Sequence, residues 1–400
     1  MIAFEEARDR VLDSVGRLGS ARVPLDAALG LVGASDVVSR IDVPSFDNSA
    51  MDGYAVRAAD LAELPCRLPV VVTSVAGHPG ERPISAGEAA RILTGAVLVD
   101  GADTVVPVEM TDAGTEVVEI VGASAAGAHI RRAGDDTRAG DLILGAGTRV
   151  EPAHLGLLAS CGIDRLEVVS APEVAVVVTG DELVEPPAPL EPGQIYESNG
   201  RVLGALVEYA TAGRASVRVE RVGDDADELG ERLDVLGSEC DLIITSGGVS
   251  MGGEYDVVKV ALESAGVEFW QVAIKPAKPM AFGCLGRAKL VGVPGNPVSA
   301  QVSFELFVRP LLRKQMGIDP VVVPPRVVVA AERLTRGDDA KTHFLRVAFD
   351  ASGRAFPSGK QFSHVQSAMA TADALAVIPP DRLSVEADEG VEVIDLVRAI

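Results

Sequence analysis

A chain of 400 residues that is 48 % apolar is long enough for several separately cored units and too hydrophobic to be a disordered acidic polymer. Its 58 acidic residues against 36 basic ones, a net charge of -22, oppose nucleic acid and anionic membranes at long range. Only 4 % of residues are aromatic, too few for a single-strand stacking platform. Cys66, Cys161, Cys240 and Cys284 lie far apart without a CxxC pair, which argues against a disulfide framework or a structural zinc. The start, "MIAFEEARDR", lacks a basic segment followed by an apolar run, and no charge-free span reaches about 18 residues. The expectation is a cytoplasmic protein with neither a membrane nor a nucleic-acid partner.

In chain order, Phe4, Ala7, Val11, Leu12, Val15 and Leu18 recur at helical spacing over residues 3–18. From about 54 to 135 short β-like runs ("LPVVVTSV", "ARILTGAVLV", "DTVVPVEM", "EVVEIVG") are separated by Gly, Pro and Asp, as in a small inserted β domain. Residues 151–163 read as a short helix, with Pro152 in its first turn and Gly162 closing it. A βαβ alternation follows. The run "EVAVVVTG" is a strand covered on both faces, and a helix then begins near Asn199 as its cap. The strand "ASVRVERV", a helix over "DADELGERLDVL" and the strand "DLIITSGG" come next. A helix from about Asp256 to Ser264, the strands "EFWQVAI" and "KLVGVPG", and a helix opened by Asn296 and Pro297 complete the unit. After about 319 the chain returns to strands. The fold expected is multidomain α/β. Residues 1–53 and 136–170 form a discontinuous helical linker, 54–135 the inserted β domain, 171–318 a mostly parallel three-layer α/β domain, and 319–400 a C-terminal β domain.

Ligands of open parallel sheets bind outside the carboxyl ends of the strands. Three Gly-containing turns, "TGDEL", "TSGGVSMGG" and "VPGNP", are expected there. Their backbone N–H groups can cradle a phosphate without side-chain charge. The spacing fits neither GxGxxG nor GxxxxGK[ST], and no His pattern suggests a metal or a hydrolase triad. Asp181, Glu182, Asp241, Glu254 and Asp256 flank the turns; so acidic a rim suits an anion only if a divalent cation such as Mg²⁺ or a lysine intervenes. Lys275 and Lys278 in the proline-stiffened "IKPAKP" supply the positive charge.

Together "FDNSAMDGYAV", "TGDEL", "TSGGVSMG", "IKPAKP" and "GVPGNPVSA" resemble the molybdopterin molybdotransferase family, and "FPSGKQFSHVQSAMATADALAVIPP" is similar to that family's last domain. The resemblance implies a homodimer whose cleft joins the α/β domain of one subunit to the inserted region of the other. It implies a Mg²⁺-dependent reaction of adenylylated molybdopterin with molybdate, giving molybdenum cofactor and AMP. Handover would come from molybdopterin adenylyltransferase and pass to molybdoenzymes. Matching positions are Asp52, Asp136, Asp241, Asp256, Lys275 and Lys278 for catalysis, with Asp241, Asp256 and Glu254 at the metal. Glu182, Ser246, Gly247, Gly248, Ser250, Pro294, Gly295, Asn296 and Pro297 would hold the pterin substrate. Three departures stand out. Ala277 replaces a glycine between the lysines. The run after Ser250 is one residue longer, so that Glu254 or Asp256 fills the acid position. Phe362 and His364 replace glycines around Ser363, and Asp373 stands for an Asn. A peptide-binding scaffold using the C-terminal domain, and an ATP-dependent adenylylation of molybdopterin, are the rival readings.

Overall fold

The computed structural model describes residues 1–249, 259, 262–263 and 266–397. Helix α1 (Phe4–Asp13) is shorter than its periodicity, and it is no linker element. Its buried Phe4, Ala7 and Val11 share one core with the α/β unit. Phe4 meets Phe307 and Phe344 edge-on, with ring centroids 5.8 and 5.4 Å apart. The rest of the linker is more ribbon than helix. Ser20–Pro24 pairs antiparallel with Arg165–Val169, and Val37–Val38 with Leu142–Leu144, which ties the two halves of this region together. Helix α2 (Pro152–Ser160) has Pro152 at its start as expected, and Gly162 follows with φ 75°.

Between these halves five strands form one sheet: β1 (Gly53–Val56), β2 (Cys66–Ser74), β3 (Ala89–Ile92), β4 (Thr104–Pro107) and β5 (Val117–Ile120), in the order β4-β1-β3-β2-β5. Tyr54, Val56, Val106, Val118 and Ile120 fill one side of it.

The α/β unit is built from β6 (Glu173–Thr179), α3 (Asn199–Ala210), β7 (Ser216–Val222), α4 (Ala226–Glu239), β8 (Leu242–Ser246), β9 (Glu268–Gln271), β10 (Ile274–Lys275), β11 (Pro279–Leu285) and β12 (Ala288–Val293). All but β10 lie in, or pack on, one six-stranded sheet ordered β7-β6-β8-β12-β11-β9. The four strands β7, β6, β8 and β12 run parallel. Strand β11, not assigned from the sequence, is antiparallel to both β12 and β9. Two buried clusters, one on each face, make the three layers. Residues 297–315 form one helical run: α5 (Pro297–Ser303), a π-helical turn (Phe304–Val308) and α6 (Arg309–Gln315). The helix expected near Asp256–Ser264 falls largely outside the described residues.

The C-terminal sheet contains β13 (Arg326–Val329), β14 (Thr342–Phe349), β15 (Ala374–Ile378) and β16 (Gly390–Asp395). Strand β10 joins its edge, in the order β10-β14-β15-β16-β13. Ile274 and Lys275 pair in parallel with Thr342 and His343, so the lysine segment belongs to two domains at once. The expected multidomain α/β architecture is borne out. Among the described residues, no helix is long and apolar enough to cross a membrane.

Candidate functional site

Strand order reverses between β7 and β8 around β6, the first strand of the sheet, and crevices at such a switch point take ligands. The register lines up Val178, Ser246 and Val293 in one row across β6, β8 and β12, so the turns that follow leave from the same edge. Contacts show that they meet. Asn199, at the start of α3, donates from Nδ2 to Ser246 Oγ and to the Gly295 carbonyl, both at 2.8 Å. Gly247 N–H donates to the Val293 carbonyl at 3.3 Å. Gly247 has φ 107°, and a Cβ there would lie 2.8 Å from Thr179 Oγ1. No other residue type fits that backbone without displacing the β6 turn. Gly248 also has positive φ. Pro294 is buried, while Gly295 and Asn296 are exposed beside it; Asn296 occupies the cap position of α5 without a side-chain cap bond, and Pro297 is the first helical residue.

The acids sort differently. Asp181 and Asp224 brace each other, each carboxylate accepting the other's backbone N–H at 3.2 Å. Glu182 is exposed at the switch point, and its carbonyl accepts Ile195 N–H. Asp241 is not on this edge. It precedes β8 at the amino end of the sheet, where its carboxylate accepts Glu173 N–H at 2.9 Å and lies 3.5 Å from Arg287. Six residues of extended chain, about 20 Å, separate it from Gly247. The sequence reading of Asp241 as catalytic and metal-binding is therefore corrected: it ties β8 to β6. Glu254, Asp256 and Ser250 lie outside the described residues. Among the described residues, no three His, Cys, Asp or Glu side chains gather as a metal ion would require.

Asp52 and Asp136 have local partners. Asp52 immediately precedes β1, an interior strand of the inserted sheet, and Thr94 donates to it from N–H and Oγ1, both at 2.7 Å. Those bonds, the backbone one first, hold its carboxyl below the usual range. Asp136 is exposed, and its N–H donates to Val43 O at 3.0 Å.

Both lysines are exposed where β9 leaves the carboxyl edge, with Ala277 between them at φ 75°. Lys275 faces a cavity of about 220 Å³ walled by the C-terminal sheet, including Arg336, His343, Arg346 and Phe362. Asp339 is the acid beside Lys275, at 3.9 Å, and it also accepts from Lys341 and His343 at 3.1 and 2.9 Å. Burial alone would raise the Asp339 pKa, but these donors outweigh it and bring it to about 2. Burial likewise lowers the His343 pKa against the pull of Asp339, so at neutral pH the imidazole is uncharged and gives Nε2–H to the carboxylate. Arg336 spends its guanidinium on the carbonyls of Arg382, Gly337, Asp339 and Pro380. Arg346 does not. It is 0 % exposed, uses Nη2 on Lys360 and Phe362 carbonyls, and leaves Nε and Nη1 without partners among the described residues. Burial lowers its pKa to about 10, still charged at neutrality.

Three family models match the chain in succession. They are the MoeA N-terminal region (domain I and II) over residues 2–162, a probable molybdopterin binding domain over 175–314, and the MoeA C-terminal region (domain IV) over 328–396. Molybdopterin molybdenumtransferase 2 of Mycobacterium tuberculosis is 44 % identical over 386 residues, 94 % of each chain. The chain belongs to the molybdopterin molybdenumtransferase family. The Haemophilus influenzae molybdopterin molybdenumtransferase is 36 % identical, over 98 % of both chains. A Pyrococcus horikoshii molybdopterin biosynthesis MoeA crystal structure superposes with TM-score 0.85 at 31 % identity, covering all of both chains. Membership makes the chain a transferase with a role in molybdenum cofactor biosynthesis.

Two residues of this candidate site escaped the sequence reading. Asn199 passed for a helix cap, although Ser198 is the cap and the Asn side chain staples two loops. Arg346 was not singled out in the sequence. The available signal was its place in "THFLRVAF", where apolar residues stand on both sides of it.

Proposed function

We propose that the chain inserts molybdenum from molybdate into adenylylated molybdopterin, forming molybdenum cofactor and releasing AMP. One observation carries this reading: a fully buried guanidinium whose Nε and Nη1 have no partner among the described residues, lining one cavity with Lys275. An unpaired buried charge costs several kcal/mol, and a small dianion offering several acceptor oxygens offsets that cost. Molybdate is such an ion. Arg346 and Lys275 hold its oxygens, while Arg336, already saturated with carbonyls, adds field without contact.

The turns at 180–182, 246–248 and 294–297 take the pyrophosphate link. Gly247 and Gly248 bring bare amide groups to oxygens on which charge grows as the phosphorus–oxygen bond to AMP breaks. Lys278 completes the positive rim. Asp52 and Asp136, bonded to Thr94 and Val43 of their own region, are brought to these turns by a second copy, so the working unit is a homodimer. Glu182 faces the same cleft. Glu254 and Asp256 would hold Mg²⁺, which would supply positive charge at the pyrophosphate link.

The test supplies adenylylated molybdopterin and molybdate and follows AMP by chromatography and metal in the product. Molybdate-dependent AMP release is expected, with Arg346→Met raising the molybdate concentration for half-maximal rate at least tenfold. AMP release by Arg346→Met equal to that of the unsubstituted protein at limiting molybdate would refute it.

A further inference from the structure

The segment 360–366 connects the oxyanion cavity to the phosphate turns, and it carries two aromatic rings. Phe362 is 62 % exposed. It stacks on the exposed His364, with centroids 5.7 Å apart and planes 11° from parallel. The backbone beneath them is firmly held. Gln361 trades hydrogen bonds with Arg346, donating to its carbonyl at 3.0 Å and accepting its N–H at 2.8 Å. The Phe362 carbonyl accepts Arg346 Nη2 at 3.2 Å, and the Ser363 carbonyl accepts Val298 N–H at the start of α5. Gln366 donates to Ser198 Oγ, the cap of α3. A pinned backbone thus holds an apolar ring in water, an arrangement that hydrophobicity opposes unless something covers the ring. Phe362 lines the oxyanion cavity on one side and, with Lys360, His364, Val365 and Ser367, a wider recess of about 590 Å³ on the other.

We infer that Phe362 and His364 are a stacking platform for a flat heteroaromatic ring of the substrate. This rests on the proposed function, because the platform lies between a site for a metal oxyanion and turns for a phosphate. A molecule with a planar ring and anionic groups spans that distance. The adenylylated pterin offers two such rings, and stacking on Phe362 serves either.

The experiment measures equilibrium binding of three probes to the full chain: AMP, 6-hydroxymethylpterin and inorganic molybdate. Phe362→Ala is expected to weaken one ring probe roughly tenfold, the usual consequence of losing one stacked aromatic, and to weaken molybdate by less than that. The affected probe identifies the ring. Phe362→Leu, which keeps apolar area and loses the π face, should behave like Phe362→Ala, whereas Phe362→Trp should restore binding. Because the side chain is mostly exposed, the thermal midpoint should not move. Unchanged affinity for both rings in Phe362→Ala and Phe362→Leu overturns the platform, as does absence of ring binding by the unsubstituted protein. If a ring binds and depends on Phe362 while no AMP is ever released with molybdate, the platform stands and the molybdenum-transfer reading falls.

Discussion

Replacing Asp241 separates a reading from chain proximity from one based on geometry. Its carboxylate accepts Glu173 N–H at 2.9 Å and approaches Arg287 at 3.5 Å; the Asp side chain is 16 % exposed and the Arg side chain 54 %. A charge-assisted hydrogen bond of that kind contributes about 1.5–3 kcal/mol. An exposed ion pair adds about 0–1 kcal/mol. Asp241→Ala should therefore destabilise the α/β unit by about 2–3 kcal/mol, lowering its calorimetric midpoint by roughly 5 °C or somewhat more. Asp241→Asn keeps an acceptor for Glu173 and should lose less than half of that. At 20 °C both variants should release AMP with kcat/KM within about twofold of the unsubstituted protein, since the residue stands on the far edge of the sheet from Gly247. A tenfold loss of turnover in Asp241→Asn at an unchanged midpoint would refute the placement and return Asp241 to the chemistry.

Gly247→Ala must push Thr179 or abandon φ 107°, so a loss of about 2 kcal/mol in denaturant unfolding, with weakened AMP binding, is expected. Arg346→Met should raise the unfolding midpoint while abolishing molybdate retention, because an unpaired buried charge is exchanged for an apolar chain of similar length; isothermal titration and calorimetry read the two effects. Asp339 has a folded pKa of about 2, below the ordinary carboxyl value, so its contribution is complete above the unfolded pKa near 4 and vanishes as pH falls toward 2. The difference in unfolding midpoint between the unsubstituted protein and Asp339→Asn should accordingly shrink from pH 5 downward. Asn199→Ala removes donors to Ser246 and Gly295 and should lower affinity for AMP several-fold with little change for molybdate.

The parallel sheet was legible because β6 and β8 are continuous apolar runs with no polar alternation, and both ended in Gly where the fold turns. The turns of the site were legible for the same reason. Asp241 misled because neighbours in sequence become opposite ends in space once a strand lies between them. Strand β11 was hidden behind "IKPAKP", whose prolines announce a loop while the strand begins at the last of them, Pro279. Ala277 was noticed as standing where glycine is usual, and its φ of 75° shows that the backbone keeps the left-handed shape and bears the strain. The apolar flanks of Arg346 hint at burial, but what distinguishes Arg346 and Asp339 is the partners they lack or share among the described residues, which pattern does not carry.

Lys275 is bonded by its backbone into the edge of the C-terminal sheet, yet its chain continues directly into the strands of the α/β sheet. An oxyanion seated between Lys275 and Arg346 is in that position a rivet through two plates. Whatever affinity the cargo gains from the plates being closed is returned as cohesion between them, so loading and interdomain stiffness rise and fall together.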